Sequence, residues 1–246
     1  MIKISATIVV YNEREDFLVR VIKDFLEIDL EKELVIVDNS PKDTLKTVCQ
    51  KYDCVTYIFS GKNLGFGRGH NLGFSKLHVE SNFHLVINAD TYFDSNDIKD
   101  FVLWMSNHKD ISLAVPQVYF PDGTLQHTIR DIPTPTTLIK RRLNITKKDE
   151  WQDIEFNDVQ EIPFAHGCFF IFPTGVFKSL NGFDERYFMY MEDADICIRA
   201  KEFGKTVINP NYKIYHEFAK GSSKSIKLLW WHLVSAFKFF IFKKYH

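Results

Sequence analysis

The first half of the chain alternates between two kinds of apolar pattern. Short runs that are almost wholly apolar are each followed by a longer stretch in which apolar residues recur every three or four positions. The first run covers residues 4–10 and is rich in β-branched side chains, as a strand buried on both faces would be. The helical spacing that follows it is that of Phe17, Val21, Ile22, Phe25 and Leu26. The pattern therefore predicts a buried strand followed by an amphipathic helix.

The same strand and helix unit recurs three more times along the chain. The pairs are residues 34–37 with 44–52, 55–59 with 67–77, and 83–88 with 96–108. Such βα repeats predict an α/β fold with a doubly wound, mostly parallel sheet, in which ligands bind beyond the carboxyl ends of the strands. The polar residues that follow the strands are therefore candidates for a site: Tyr11, Asn12, Glu13, Asp38, Asn39, Ser40, the loop 61–73, Asn88 and Asp90.

The second half predicts a smaller, antiparallel portion. After a further strand at residues 111–116, the turn sequence Pro121-Asp122-Gly123 predicts a hairpin over residues 117–127. Residues 130–160 are polar without a clear period and predict a long loop or a mobile cover. Residues 162–173 predict a central strand, and residues 207–208 and 212–216 predict two short final strands.

The tail, residues 223–246, combines five lysines and no acidic residue with many large apolar side chains. Its apolar stretch is interrupted by His232 and Lys238 and falls short of the roughly 20 residues that a membrane-spanning helix needs. An amphipathic helix lying on an anionic membrane surface is favoured. The alternative is a terminal helix that packs on the body of the protein and turns a basic face to water.

Composition and charge narrow the class of protein. The 246 residues are 45% hydrophobic and include 23 Phe, and the net charge is -1, so no overall field attracts nucleic acid. The four cysteines, Cys49, Cys54, Cys168 and Cys197, have neither CxxC nor zinc spacing and predict reduced, mostly buried thiols. Because the chain begins with a strand and shows no signal-peptide pattern, a cytoplasmic location is expected.

Residues 182–200 crowd carboxylates beside aromatic side chains. Glu192, Asp193 and Asp195 stand near the expected start of a helix, and Arg199 follows Asp195 by four positions. One interpretation is that these acids complement the amino terminus of the helix. The other is a general base, because apolar surroundings raise the pKa of a carboxylate toward neutrality. The residue pattern alone favours the first interpretation.

Two further features suggest sites for a cation and for phosphate. Asp90 follows an apolar strand, where a carboxylate can hold Mg²⁺ or Mn²⁺, although Asn88 and Asp90 also suit a simple turn. The glycine-rich loop 61–73 follows the third strand, and its glycines with the next helix terminus offer N–H groups to an anion. It is neither a dinucleotide fingerprint nor a Walker loop.

Together these segments resemble the family 2 glycosyltransferases, which have the A-type glycosyltransferase fold, and among them the bacterial rhamnosyltransferases most. The resemblance rests on TIVVYN (7–12), VDNS (37–40), GKNLGFGRGHNLG (61–73), NAD (88–90) and residues 182–200, with support from residues 115–133. It covers residues 5–222 and implies a single catalytic domain over 1–222. Within it, 1–116 would bind the nucleotide-sugar and 117–222 the acceptor, while 223–246 form the basic aromatic tail.

The resemblance also implies roles for individual residues. Asp193 corresponds to the catalytic base, supported by Glu192, Asp195 and Arg199, and Asp90 with His216 corresponds to the metal site for Mg²⁺ or Mn²⁺. The residues implied in nucleotide-sugar binding are Tyr11, Asn12, Asp38, Asn63, Gly65, Asn71 and Asn88. The chain departs from the family in having only one carboxylate in Asn88-Ala89-Asp90, where relatives commonly have Asp-x-Asp.

The function implied is an inverting, metal-assisted transfer of L-rhamnose from dTDP-rhamnose to a lipid-linked glycan in cell-surface polysaccharide synthesis. The tail would hold the enzyme on the inner face of the cytoplasmic membrane. One alternative keeps the fold but uses a UDP-hexose or UDP-N-acetylhexosamine donor. Another is a catalytically inactive relative that binds glycan or membrane.

Overall fold

The computed structural model describes residues 1–137, 151, 154–217 and 226–242. The first half forms the expected strand and helix units. Its elements are β1 (Lys3–Val10), α1 (Glu15–Glu27), β2 (Glu31–Asp38), α2 (Lys46–Cys49), β3 (Val55–Phe59), α3 (Phe66–Phe74), β4 (Phe83–Asn88), β5 (Thr91–Tyr92) and α4 (Ser95–Ser106). The helix predicted over residues 44–52 is only one turn long; Val48 and Cys49 are buried within it, and the buried Leu45 directly precedes it.

The second half adds strands and helices that complete the same sheet. Its elements are β6 (Ile111–Tyr119), β7 (Ile129–Arg130), β8 (Gln160–Glu161), β9 (Phe164–Ala165), β10 (Phe169–Pro173), α5 (Thr174–Ser179), α6 (Glu192–Ala200), β11 (Lys205–His216) and α7 (Ile226–Phe242). The turn at Gly123 is present with a φ of 83°, but the hairpin pairs only through the bridge between Tyr119 and Leu125. Of the loop predicted over 130–160, residues 138–150 and 152–153 lie outside the described residues.

Two strand predictions are corrected. Residues 162–173 hold two strands, β9 and β10, because the chain turns between them at residues 166–168. The two short final strands are one strand, β11, whose register against β6 shifts between Asn209 and Lys213. Pro210 lies in that shift, and since proline has no N–H to donate, the ladder is interrupted there without ending the strand.

Among the described residues, nine strands form one sheet in the order β3-β2-β1-β4-β10-β6-β11-β5, with β8 also paired to β11. The pairs among β1 to β4 are parallel, and so is the pair of β6 with β11. Strand β10 runs antiparallel between β4 and β6, and β5 and β8 run antiparallel to β11. The prediction of a doubly wound, mostly parallel sheet with a smaller antiparallel portion is confirmed.

Each face of the sheet carries its own hydrophobic core. Leu85 and Ile87 of β4 face the core made with α1 and α4, while Val86 between them faces the core made with α5, α6 and α7. The second core is dominated by phenylalanine, which accounts for much of the aromatic content. Its fully buried rings include Phe170, Phe172, Phe177, Phe183 and Phe239.

The tail forms the helix α7, which packs on this second core through Ala236 and Phe239. The expected packing of the helix on the body is therefore present, but its opposite face exposes large apolar side chains rather than a purely basic surface. The membrane contact stays a prediction. Within the described ranges, no helix is both long and apolar enough to cross a bilayer.

Phe177 provides a test of the second core. Its ring lies 4.8 Å from those of Phe74 and His84 and 5.2 Å from that of Phe172, measured between ring centroids. We expect Phe177→Ala to lower the free energy of unfolding by about 3–5 kcal/mol, because it leaves a cavity that the rings around it cannot fill. Chemical denaturation measures the loss. The exposed Phe203→Ala should change stability by less than about 0.5 kcal/mol, and equal losses in the two variants would contradict the packing described.

Candidate active site at the carboxyl edge of the sheet

The register of the parallel strands brings the expected polar residues to one edge. Val10 lies opposite Asp38, and Val9 lies opposite Asn88. The chain leaves β1 through the exposed Tyr11 and through Asn12, whose φ of 52° is in the left-handed region. The ends of β1 and β2 are then tied together, because the N–H of Asn12 donates to Ser40 Oγ at 2.8 Å.

Asp38 is fully buried at the end of β2. Its Oδ1 accepts a hydrogen bond from the N–H of Ser40 at 2.8 Å, and its Oδ2 accepts one from the hydroxyl of Tyr57 at 2.7 Å. Both oxygens therefore have protein partners that stabilise the carboxylate in its buried place. No sequence pattern indicates the contribution of Tyr57, which comes from the neighbouring strand β3.

The glycine-rich loop makes a close backbone contact with residues 183–191, here called the bridge segment. Gly65 has a φ of 84°, its N–H donates to Asn63 Oδ1, and a Cβ at this position would lie 2.1 Å from the carbonyl oxygen of Phe188. The N–H of Phe66 donates to that same oxygen at 3.2 Å. Glycine is therefore required at position 65 by the conformation and by the space.

Asn71 of α3 also holds the bridge segment. Its Oδ1 accepts from the N–H of Phe183 at 2.9 Å, and its Nδ2 donates to the carbonyl oxygen of Phe183 at 2.8 Å. The amide that the resemblance placed in nucleotide-sugar binding thus makes two hydrogen bonds to this backbone. A further glycine of the loop, Gly69, lets α3 approach β1, since a Cβ there would lie 2.7 Å from Val9 Cγ2.

Asp90 and His216 meet although they lie far apart in the sequence. Asp90 Oδ1 is 3.2 Å from His216 Nε2, and His216 Nδ1 is 3.0 Å from Gln126 Oε1. With the amide of Gln126 oriented so, its oxygen only accepts, and Nδ1 carries the hydrogen. In the neutral ring, the lone pair of Nε2 then points at a carboxylate oxygen, which is favourable when a cation or a proton lies between them.

Glu13 belongs to the surroundings of this pair. Burial raises the pKa of its carboxyl group above the ordinary value, and the negative charge of Asp90 raises it further. The sequence placed Glu13 at the strand-end edge without a role. Across the described part of the chain, no three His, Cys, Asp or Glu side chains are grouped closely enough to hold a metal by themselves.

The carboxylates of residues 182–200 lie in the first turn of α6. The two residues before the helix, Tyr190 and Met191, have φ values of 68° and 71° in the left-handed region. Glu192 is buried, and its Oε2 has no hydrogen-bond partner among the described residues. Asp193 is half-buried, and its Oδ1 accepts from the N–H of Ala194 at 2.8 Å.

Burial raises the pKa values of these two acids above those of ordinary carboxyl groups. It raises the pKa of Asp193 to about 6, and it raises the pKa of Glu192 to about 8 with a further contribution from the charge of Asp193. At neutral pH, Glu192 is therefore mainly the neutral acid and Asp193 mainly the carboxylate. Neighbouring acids with separated pKa values are typical of acid–base sites.

Asp195 and Arg199 form the i, i+4 pair that their spacing predicts. The guanidinium Nε of Arg199 is 2.7 Å from Asp195 Oδ2. Its two other nitrogens donate to the carbonyl oxygens of Leu180 at 3.0 Å and Gly182 at 3.1 Å. Arg199 thereby connects α6 to the residues that directly precede the bridge segment.

Asp193 opens on a cavity of about 170 Å³ at the edge of the sheet. Glu192, His216 and Asn88 line the same cavity, so the structure brings together residues from α6, β11 and β4. Gln126, Thr128 and His166 also line it and were missed by the sequence interpretation. Gln126 lies within residues 115–133, which carried part of the resemblance, but no motif or spacing marks any of the three.

A family model described as Glycosyl transferase family 2 matches residues 5–180 of the chain. The chain belongs to this family. The glycosyltransferase is 24% identical to rhamnosyltransferase WbbL of Escherichia coli (strain K12) over 247 residues, which cover 96% of this chain and 92% of WbbL. It is also 24% identical over 212 residues to the N-acetylglucosaminyl-diphospho-decaprenol L-rhamnosyltransferase of Mycobacterium tuberculosis (strain CDC 1551 / Oshkosh), covering 78% of this chain and 68% of that protein.

Solved structures show the same fold. GalNAc-T7 with UDP, GalNAc and Mn²⁺ superposes with a TM-score of 0.69 at 19% identity, covering 91% of this chain and 44% of GalNAc-T7. The mannosyltransferase PcManGT of Pyrobaculum calidifontis, in complex with GDP-Man and Mn²⁺, gives a TM-score of 0.66 at 14% identity, covering 98% of this chain and 65% of that one. The expected A-type glycosyltransferase fold is confirmed, and the chain spans less than half of GalNAc-T7.

The raised pKa of Glu192 makes a prediction about stability. Since the native state holds this proton more tightly than the unfolded state, whose pKa is near 4.5, the contribution is lost as pH rises toward about 8. We expect Glu192→Gln to match the wild type near pH 4.5 and to be the more stable protein at pH 8. Denaturant unfolding over this range measures the difference. The exposed Glu202→Gln is the control, and a pH-independent effect of Glu192→Gln would contradict the buried, neutral acid.

Proposed function

We propose that the protein transfers a sugar from a nucleotide-sugar to a hydroxyl group of a glycan acceptor with inversion, using Asp193 as the general base. The observation that carries this is a carboxylate with a pKa raised to about 6 that opens on a cavity also lined by His216, whose Nε2 lies 3.2 Å from Asp90 Oδ1. Asp193 Oδ accepts the proton of the acceptor hydroxyl as its oxygen bonds to the anomeric carbon. The bond from that carbon to the nucleoside diphosphate breaks in the same displacement.

The neighbouring Glu192 supports this role by remaining uncharged. A second carboxylate beside Asp193 would repel it and raise its pKa further, which would leave less of the base ionised at neutral pH. The first turn of α6 places both acids at a helix amino terminus, which favours the charged form of Asp193. Asp195 and Arg199 hold the helix in place.

Asp90 and His216 fit a site for a divalent cation, Mg²⁺ or Mn²⁺. Two protein ligands leave further coordination positions for other groups. The Nε2 atom of His216 and the Oδ1 atom of Asp90 would hold the ion together with oxygen ligands from a donor diphosphate and water. When bound, the ion would offset negative charge on the leaving diphosphate. The structures of GalNAc-T7 and PcManGT, which contain Mn²⁺, support this assignment.

The edge formed by β1, β2 and the glycine-rich loop is proposed to hold the nucleotide. Tyr11 and Asn12 are exposed at the end of β1, and the nearby Asn63 and Gly65 shape the loop. Asp38 lies behind Ser40, and Asn88 lines the catalytic cavity. Asn71 contributes by holding the bridge segment against the loop.

The donor is proposed to be dTDP-rhamnose and the acceptor a lipid-linked glycan, in the synthesis of a cell-surface polysaccharide. The names of WbbL and of the Mycobacterium tuberculosis relative, an enzyme whose acceptor is a polyprenyl diphosphate sugar, support both assignments. The alternative is a UDP-hexose or UDP-N-acetylhexosamine donor. The structure of GalNAc-T7, which contains UDP, favours keeping it in the test.

The test measures nucleoside diphosphate release by purified protein with Mg²⁺ or Mn²⁺, an N-acetylglucosaminyl-diphospho-polyprenol acceptor, and either dTDP-rhamnose, UDP-glucose or UDP-N-acetylglucosamine. We expect kcat to fall as pH drops below about 6, because protonated Asp193 cannot accept a proton. Asp193→Asn should lower kcat by about 10²–10⁴-fold while the donor still raises the melting temperature.

Glu202→Gln serves as the control for this experiment. Absence of turnover with every donor would refute the transferase, and a fully active Asp193→Asn would refute the base.

We also propose that the protein binds the membrane surface peripherally through the outer face of α7. Four large apolar side chains lie on that face at helical spacing, with exposed fractions of 62% for Trp230, 56% for Leu233, 67% for Phe237 and 57% for Ile241. The tail has five lysines and no acid, which complements an anionic lipid surface. One lysine, Lys238, donates to the carbonyl oxygen of Arg186 instead, at 2.7 Å.

Replacing these four side chains with serine tests the membrane role. Since each buried apolar side chain contributes about 1.5–3 kcal/mol, the fourfold variant should bind anionic vesicles at least about tenfold more weakly in a sedimentation assay. Phe203→Ser, an exposed apolar side chain outside the tail, is the matched control. Unchanged vesicle binding by the fourfold variant would exclude this surface as the membrane contact.

A further inference from the structure

Two consecutive carbonyl groups of the bridge segment have partners in different parts of the protein. The carbonyl oxygen of Phe188 accepts from the N–H of Phe66, at the start of α3 directly after the glycine-rich loop. The carbonyl oxygen of Met189 accepts from the hydroxyl of Ser235 at 2.8 Å, on the inner face of α7. The bridge segment therefore joins the glycine-rich loop to the tail helix.

The inner face of α7 holds this segment at several points. The ring of Trp231 stacks on that of Phe188 with 4.3 Å between centroids, and Lys238 Nζ donates to the carbonyl oxygen of Arg186. Ser235 is only 1% exposed, and its hydroxyl bonds to Met189 rather than to the preceding turn of its own helix. These contacts cover residues 186–189.

The next two residues of the chain have unfavourable backbone conformations. Tyr190 and Met191 both have left-handed φ values, and neither is a glycine. Such residues persist only where the surrounding structure fixes them, and they cluster at functional sites. Glu192 and Asp193 follow at once, so the direction of Asp193 depends on how residues 188–191 are held. On one side they are held by α7, and on the other they continue into α6.

We propose that α7 positions the catalytic base, and that Ser235 is a positioning residue for Asp193. The hydroxyl of Ser235 fixes the peptide group at Met189, which keeps the left-handed turn closed and Asp193 facing the cavity. The tail helix then has two functions on two faces: the outer face contacts lipid, and the inner face holds the catalytic turn. The kinetic part rests on the proposed role of Asp193, whereas the contact between α7 and the bridge segment does not.

The test compares Ser235→Ala with Ser112→Ala in the full chain. Ser112 is a similarly buried serine in β6, away from the bridge segment. Its hydroxyl also donates to a backbone carbonyl, that of Lys205 in β11, at 3.1 Å. We expect hydrogen exchange of the amides at residues 188–194 to accelerate in Ser235→Ala and to stay at the wild-type rate in Ser112→Ala. Equal exchange in the two variants would overturn the proposal whether or not the protein transfers sugar.

Kinetics without vesicles then test the effect on Asp193. In Ser235→Ala we expect kcat to fall by about tenfold, because a small misplacement of a catalytic group is costly, with a smaller change in the donor KM. The acid limb of the kcat profile should move to lower pH, since a looser turn admits water and lowers the pKa of Asp193. Ser112→Ala should change neither. A Ser235→Ala enzyme with the kcat and acid limb of Ser112→Ala would overturn the positioning role, while an inactive wild type would instead refute the proposed function.

Discussion

The contact between Gly65 and Phe188 is the constraint around which the site is built. With no side chain at position 65, the loop after β3 lies directly against the backbone of a segment more than a hundred residues later in the chain. Through that contact and the hydrogen bond of Ser235 to Met189, the bridge segment joins the glycine-rich loop to the tail helix. It also accounts for the packing role of several of the loop glycines and of Asn71, which hold the loop and the bridge segment against each other.

The acidic side chains at this edge of the sheet are buried in different environments, and their electrostatic properties differ accordingly. The carboxyl oxygens of Asp38 accept hydrogen bonds from Ser40 and Tyr57. Burial raises the pKa of Asp195, and the positive charge of Arg199 beside it acts in the opposite direction. Glu192 has neither a cation nor a full set of donors, and it holds a proton instead. The result is one ionised acid facing the cavity, rather than a cluster of mutually repelling charges.

Much of the first half of this fold can be predicted from its sequence because each strand is an apolar run of its own. Residues 55–59 and 83–88 are predicted with the observed bounds, since both runs end at polar turns. The second half is harder, because its strands depend on partners far away in the chain: β11 continues past Pro210 only because β6 pairs with both parts of it.

The candidate site divides in a similar way. Asp193, Asp90 and His216 stand in recognisable surroundings along the sequence, and the structure places them around one edge. No sequence motif surrounds Gln126 or His166. Gln126 reaches the cavity through a hairpin turn and His166 through a reversal of the chain, and no local sequence pattern predicts the direction of either. The sequence alone does not distinguish the two faces of α7 either. Apolar residues occur all around this helix, and its packing on the core determines which of them are buried.

The antiparallel strand β10 has a consequence for how the chain is made. The parallel group of β1 to β4 is complete in sequence once residue 88 has left the ribosome. Within the described part of the chain, however, the free side of β4 pairs only with residues 169–173. Until those residues emerge, a buried central strand is an open edge, and open edges of apolar strands are sites of aggregation during synthesis.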